Sequence, residues 1–414
     1  MTMAAQVDLS HTPQHPRAWF PDGRARRNGI LIWGSCLVFF LALYSYMAIL
    51  AVFAKSLGAT PTLIGLAVGI YGIGQMIFRI PVGVTADLLG TRKFVIAAGM
   101  GILVLSDVGM GLSNDALMIV LFRVPTSLGA STYLVYAVLL AQQFTPERRS
   151  TAMGTLTSVS NAGILAGLWI GGQLAQASGG YRVPFFWGAA FAVVGALLIL
   201  MVRETRAKKG TSINLRRLVE IGFMPSILAV SAAFIVGVMA WYGAQYTLLP
   251  LYAQKTAEFS KAALGNLAMI SSAAGTLSAF AAGAVADRIG RRIPALAGLL
   301  ILLVTMLLIP STTDRTMIFV MSACIGLGYG ICWATFMAMA LSVIEGAEQA
   351  TAMGVFMAYY ALGMYLGPQT GGLVLQFFGY SNSFYSLAAL VLVGVLLTLF
   401  AIPRRLVEVP KRPA

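Results

Sequence analysis

Twelve apolar runs, each about the length of a bilayer crossing, dominate this chain. They lie near 30–53, 62–86, 93–113, 115–143, 150–176, 181–202, 222–249, 261–286, 293–311, 314–342, 349–377 and 380–402. A crossing helix needs about 20 mainly apolar residues, and lipid offers no partner to a bare amide or carbonyl. Helices meet that demand within each run. The strict alternation of a membrane β-barrel is absent. Charged residues make up only 10% of the 414, where a soluble protein carries about 25%. These features predict an all-α membrane protein with 12 transmembrane helices, and an even number of crossings puts both termini on one side.

The net charge of +14 could signal nucleic acid, but its distribution assigns it otherwise. Twenty-one Lys and Arg fall on the side of the termini, in the tails, the central loop, and the loops at 83–93, 148–149 and 283–293. Five fall on the other side (Lys55, Arg182, Lys255, Lys261, Arg315), and Arg79 and Arg123 lie within spans. Basic loops favour the cytoplasm. Both termini are therefore expected there, with the protein multi-pass in the cell inner membrane, and no nucleic-acid partner is expected. His11 and His15 lie in the polar tail, and Cys36, Cys324 and Cys332 lie inside apolar runs. Neither set has metal-ligand or disulfide spacing, and no constellation of His, Cys or acids lies at depth. No enzyme, cofactor or metal is expected. Residues 1–28 lack an apolar core followed by small residues, so no cleaved signal peptide is expected.

The chain repeats itself at one offset. Gly83, Asp87, Gly90 and Arg92 recur as Gly283, Asp287, Gly290 and Arg292. "TAMG" at 151–154 recurs at 351–354, and Gly163, Gly167, Gly171 and Gly172 recur 200 residues on. Tyr46 and Tyr246 match in spans 1 and 7. The pattern predicts two pseudo-symmetric six-helix halves, 29–202 and 222–403, joined by a loop at 203–221 and flanked by tails 1–28 and 404–414. Like halves with a site between them are the plan of a secondary transporter.

On these residues the chain resembles the major facilitator superfamily over about residues 30–402. The loop "GAVADRIGRR" (283–292) matches the family's signature in full, with Gly283, Asp287, Arg288, Gly290, Arg291 and Arg292. The copy at 83–93 is partial, with Leu88 and Thr91 in basic positions. "YGIGQMIFRIPVG" (71–83) and "LFRVPTSLGAS" (121–131) look like spans 2 and 4 of the drug:proton antiporter branch, with Arg123 in the Arg position. The branch's span-5 signature carries Pro; here Leu168 takes its place, and the Pro version stands in span 11 as "GMYLGPQTGG" (363–372).

Gly83 and Gly283 are read as points where a helix end approaches a neighbour closely. The resemblance implies that Asp87 meets the start of span 11 and so holds the outward-open state. By the same logic Asp287 meets the start of span 5. An acid favours a helix N-terminus by about 0.3–1 kcal/mol, with Ser150 or Thr351 placed to cap. Gly90, Arg92, Arg288, Gly290 and Arg292 complete the gating set. The partial copy predicts a weaker latch.

An ionisable group at bilayer depth costs at least about 2.5 kcal/mol and defaults to function. Arg123 in span 4 is read as a substrate or proton-coupling group. Arg79 reads equally well as a gating partner or a snorkelling residue. Asp107 is the one carboxylate well inside a span, near the outer end of span 3, which in the family is peripheral. Spans 7–12 hold no deep acid, since Asp314, Glu345 and Glu348 sit at span ends. If protons couple transport, Asp87 or Asp107 carries them, modulated by Arg123. The resemblance makes spans 1, 4, 7 and 10 line a cavity. Its candidate substrate-binding residues are Arg123, Tyr46, Tyr133, Trp241, Tyr242, Gln245, Tyr329 and Trp333, with Gln75 and Tyr359 from flanking spans. Trp241/Gln245 and Tyr329/Trp333 are i, i+4 pairs that share a helix face.

The expected function is secondary active transport of a small organic molecule by alternating access, as proton-coupled efflux. The alternative is an importer or facilitator of a small organic anion anchored by Arg123. The expected partners are that substrate, membrane lipid and protons, with the chain a monomer.

Overall fold

In the computed structural model, which describes residues 19–204, 215–344, 349–403 and 406, all twelve runs are helical. The tail through residue 18, the middle of the 203–221 loop, Glu345, Glu348 and most of the 404–414 tail lie outside the described residues. Span 1 comprises α1 (Gly23–Tyr44) and α2 (Leu50–Ser56). Span 2 is α3 (Pro61–Leu89), and span 3 is α4 (Arg92–Leu112). Span 4 comprises α5 (Ala116–Ala130) and α6 (Tyr133–Ala141). Span 5 is α7 (Arg149–Ala177), and span 6 is α8 (Val183–Leu200). The short α9 (Leu215–Gly222) belongs to the linker. Span 7 comprises α10 (Pro225–Gly243), a π-helical turn at Ala244–Leu248 and α11 (Leu249–Ala257). Span 8 is α12 (Lys261–Ile289), span 9 is α13 (Arg292–Leu308), and span 10 is α14 (Arg315–Leu341). Spans 11 and 12 run on as α15 (Gln349–Phe400), parted by Gly379 at φ 80°. Only glycine takes that backbone conformation without strain.

Ten helices among the described residues are long and apolar enough to cross a membrane by length and composition. The twelve spans follow because α15 holds two of them and the 29-residue α7 is less apolar. Several helices start on a side-chain cap that satisfies an otherwise orphaned amide. Asp22, Thr60, Asp115, Ser260 and Asp314 each accept from the backbone N–H three residues on. By contrast α7 begins at Arg149 and α15 at Gln349, so Ser150 and Thr351 fall inside the first turn; α7 has no side-chain cap.

The two sets of six spans meet along spans 2 and 11 and along spans 5 and 8. Glycine permits both crossings. A Cβ on Gly65 would lie 2.4 Å from the carbonyl oxygen of Pro368, and one on Gly372 would lie 2.3 Å from that of Pro61. In the other crossing, a Cβ on Gly265 would lie 2.8 Å from Leu168 O and from the Cα of Gly172. The two contacts map onto each other at the offset of 200, and Leu168 occupies the place of Pro368. Side chains tie the same end. Thr62 Oγ1 donates to Gln376 Oε1 at 2.6 Å, and Gln254 Nε2 donates to the Tyr181 hydroxyl at 3.1 Å. This end, opposite the basic loops, is closed.

The basic end differs. A Cβ on Gly83, Gly283, Gly154 or Gly354 would meet nothing within 4 Å. The expected close approach at Gly83 and Gly283 is therefore absent in this conformation, because the span ends stand apart. Asp87 pairs with Arg92 of its own loop at 3.3 Å, not with the start of span 11. Asp287 and Arg288 are exposed and in no ion pair among the described residues. Arg292 instead donates to Thr398 O at 3.2 Å, and Arg291 to Ser342 Oγ at 2.7 Å. Gly90 (φ 64°, ψ 10°) ends its helix in the left-handed conformation, and Gly290 (φ 85°, ψ 165°) ends its own in an extended conformation of positive φ that favours glycine. The partial copy is thus the better tied of the two loops.

Glu204, just past span 6, completes that tie. Its side chain is 2% exposed. It accepts from the backbone N–H groups of Arg92 and Lys93, both at 2.9 Å, and stands 4.0 Å from the Arg92 guanidinium. A carboxylate on two first-turn amides answers both the orphan donors and the helix dipole. Glu204→Ala is expected to lower stability by about 2–4 kcal/mol, since bonds to a charged acceptor contribute about 1.5–3 kcal/mol each. Thermal unfolding in detergent checks this, and an unchanged midpoint would count against it.

Candidate functional site

A cavity of about 640 Å³ lies between the two sets of spans, in the half nearer the basic loops. Both sets furnish its wall, from Tyr44, Tyr71 and Tyr133 on one side to Trp241, Tyr329 and Trp333 on the other. The face-sharing expected of Tyr329 and Trp333 holds, and both line the cavity. Trp241 stacks on Tyr329 with ring centroids 3.7 Å apart and planes 9° apart. Trp333 meets Tyr360 edge-on at 5.2 Å. Gln75, Tyr133 and Tyr242 also sit in the wall as expected.

Gln245 does not. The π-helical turn at Ala244–Leu248 inserts a wider i→i+5 repeat. That rotates Gln245 off the Trp241 face and brings Tyr246 onto it, 5.4 Å from Trp241. Gln245 is buried in the C-terminal set, where its Oε1 accepts from Ser322 Oγ at 3.0 Å. Tyr359 is likewise outside the wall; its hydroxyl donates to Gly222 O at 3.0 Å and so holds the linker helix α9 against span 11. The neighbouring Tyr360 takes the cavity position.

Arg123 and Tyr46 also stand outside the cavity. Arg123 is 2% exposed and Tyr46 is fully buried. The chain leaves helical geometry at 45–49, between α1 and α2, and this break sets the Tyr46 hydroxyl against Arg123. Arg123 Nη1 donates to it at 3.0 Å, and Nη2 lies 3.2 Å from Met47 Sδ. The guanidinium also lies over the ring of Tyr71, 4.7 Å from its centroid. Tyr71 is itself a wall residue, so one ring touches both the cavity and the buried cation. Asp107 is 0% exposed on span 3, which packs mainly against spans 4 and 6 of its own half. It faces Tyr46 and Arg123, and Gly188 of span 6 makes room for its carboxylate, since a Cβ there would lie 2.8 Å from Oδ2. Asp107 forms no ion pair within 4.0 Å among the described residues, and neither of its carboxylate oxygens has a hydrogen-bond partner there. Asp87, the other proton-coupling candidate, lies exposed at the basic end, far along the chain from this group.

Sequence reasoning missed Tyr71, Tyr246, Tyr360 and Arg79 as wall residues. Tyr246 had a signal in its match to Tyr46 at the offset of 200, but the two tyrosines point to different places. Among the described residues no group of three His, Cys, Asp or Glu could hold a metal.

Comparison with known proteins agrees with this architecture. The profile of the Major Facilitator Superfamily matches residues 32–277 and 233–414. An uncharacterised transporter of that type from Methanocaldococcus jannaschii is 24% identical over 383 residues, 90% of this chain and 98% of its own. The quinolone resistance protein NorA of Staphylococcus aureus is 25% identical over 183 residues, 44% of this chain and 46% of NorA. Among solved structures, a bacterial homologue of the human lysosomal transporter Spinster has a TM-score of 0.81 at 16% identity, covering 93% of this chain and 99% of its own. The human organic anion transporter MFSD10 has a TM-score of 0.65 at 17% identity, covering 90% and 99%. With two six-span sets walling a cavity between them and the family's profile matching across the spans, the chain belongs to the Major Facilitator Superfamily.

Proposed function

We propose that this protein carries a small organic molecule across the inner membrane by alternating access, coupled to protons and directed outward. One observation carries the reading. A cavity is walled by both halves, closed by glycine crossings at one end, while the span ends stand apart at the other. Rocking the halves about that cavity would exchange the closed and open ends. The basic loops support a cytoplasmic location for the open end and for both termini. The resistance named for one relative supports outward transport.

Proton coupling rests on Asp107, Tyr46 and Arg123. A carboxyl at this depth is costly unless it titrates or is paired, and this one has a hydroxyl and a guanidinium beside it rather than a direct ion pair. Tyr71 gives the substrate a contact with that group without exposing it. Asp87 is assigned to the gate, where it would leave Arg92 for the start of span 11 when the basic end closes. An anion anchor at Arg123 has no support in this geometry, because the guanidinium is walled off.

The test is transport in proteoliposomes carrying an acid-inside pH gradient, with neutral, anionic and cationic aromatic compounds as cargo. Gradient-driven accumulation that collapses with a proton ionophore is expected. Flux indifferent to the gradient would rule out antiport, and no flux for any class would remove small-molecule transport.

A further inference from the structure

Arg79 is the only charged side chain in the cavity wall among the described residues, and no Asp or Glu lines it. Its setting is unlike that of a snorkelling residue. A snorkelling Arg sends its head toward the nearer membrane surface, which for this part of span 2 is the basic end. Arg79 turns the other way. Its Nη2 donates to the side-chain Oε1 of Gln75, one turn deeper in span 2, and helical side chains lean toward their own N-terminus in this manner. Its Nη1 is buried without a partner.

The repeat argues against a gating role for Arg79. The gating pairs Gly83/Gly283, Asp87/Asp287, Gly90/Gly290 and Arg92/Arg292 recur at the offset of 200, but the counterpart of Arg79 is Ala279, which also lines the cavity. The positive charge is therefore an asymmetric addition to one wall. It shares the wall with Tyr71 of its own span, Tyr242 of span 7 and Tyr360 of span 11. The indole N–H of Trp241, also in the wall, is a second buried donor without a partner. A donor-rich wall with one fixed cation and stacked aromatic rings suits a flat apolar body that bears one anionic oxygen group. A cationic body would meet no carboxylate there.

We propose that Arg79, steadied by Gln75, is the anion anchor of the transport cavity, and that the cargo is an aromatic monoanion such as a carboxylate or sulfonate. This rests on the reading of the cavity as the transport site. In the bound state Arg79 Nη1 and Nη2 take the anionic oxygens, while Trp241, Tyr329 and Trp333 hold the ring system. The charge that the bilayer would otherwise make costly is then neutralised by the cargo itself.

The test uses the purified full-length protein in lipid nanodiscs with two radiolabelled probes of one shape, 2-naphthoate and neutral 2-naphthamide. Naphthoate is expected to bind about tenfold or more tightly than the amide, as a charge-assisted pair allows. Arg79→Gln should abolish that preference while leaving amide affinity within about threefold, which also shows that the variant is folded; Arg79→Lys should keep part of it. Trp333→Ala should weaken both probes. Equal binding of the two probes, or an unchanged preference in Arg79→Gln, would overturn the anchor while leaving the cavity reading in place if Trp333→Ala still weakens binding. No binding of either probe, or binding indifferent to Trp333→Ala, would overturn both.

Discussion

Gly172→Leu is expected to drive the molecule out of the conformation described above and into one with the far end open. Gly172 and Gly265 cross with no side chain between them; a Cβ on Gly172 would lie 2.7 Å from the Cα of Gly265 and 3.0 Å from Lys261 O. Backbone cannot yield there as a flexible side chain could. Overpacking of this kind costs about 1–3 kcal/mol, which moves a two-state ratio by roughly 5- to 150-fold. The cost disappears if spans 5 and 8 part at that end, so the protein should still fold. Spin labels at the exposed Ser178 and Glu258, with the three native cysteines replaced by Ser, would report a longer distance than in the parent. The equivalent crossing predicts the same for Gly65→Leu. A folded Gly172→Leu protein with the parent distance would remove this crossing as the seal of the far end.

Asp107→Asn is expected to uncouple transport from the proton gradient while sparing the carrier itself. The side chain is fully buried and is not held in a direct ion pair. Replacing it with a neutral isostere therefore leaves no broken salt bridge and removes a titratable group. Gradient-driven accumulation should fall at least about tenfold, while exchange of labelled for unlabelled cargo without a gradient continues. Arg123→Ala should behave differently, because it leaves Asp107 and Tyr46 facing a void, and breaking such a buried group is costly at about 3–5 kcal/mol. Full accumulation by Asp107→Asn would exclude Asp107 as the proton site.

Much of the architecture was legible in the chain because lipid imposes a simple rule. Apolar length and internal backbone pairing together specify a helix, and the twelve runs obey that rule one by one. The doubling at 200 residues was also plain, since glycines and motif loops recur in order. Tyr329 and Trp333 were correctly placed on one face because α14 is regular. Gln245 was misplaced because a π-helical turn, for which the residues 244–248 carry no distinct signature, shifts the register after Trp241.

The sequence by itself determined the helical class, the number of spans, the two-fold repeat and the family to which the chain belongs. These depend on local length, composition and spacing. The tertiary structure alone decided which charge faces the cavity. Arg79 and Arg123 look alike in the chain, each a lone cation in an apolar run. Packing buries Arg123 among Tyr46, Met47 and Tyr71, whereas Arg79 stands in the cavity wall. The physical reason is that a helix offers every side chain a direction but not a neighbour, and the neighbours come from breaks such as 45–49 and from spans distant in sequence.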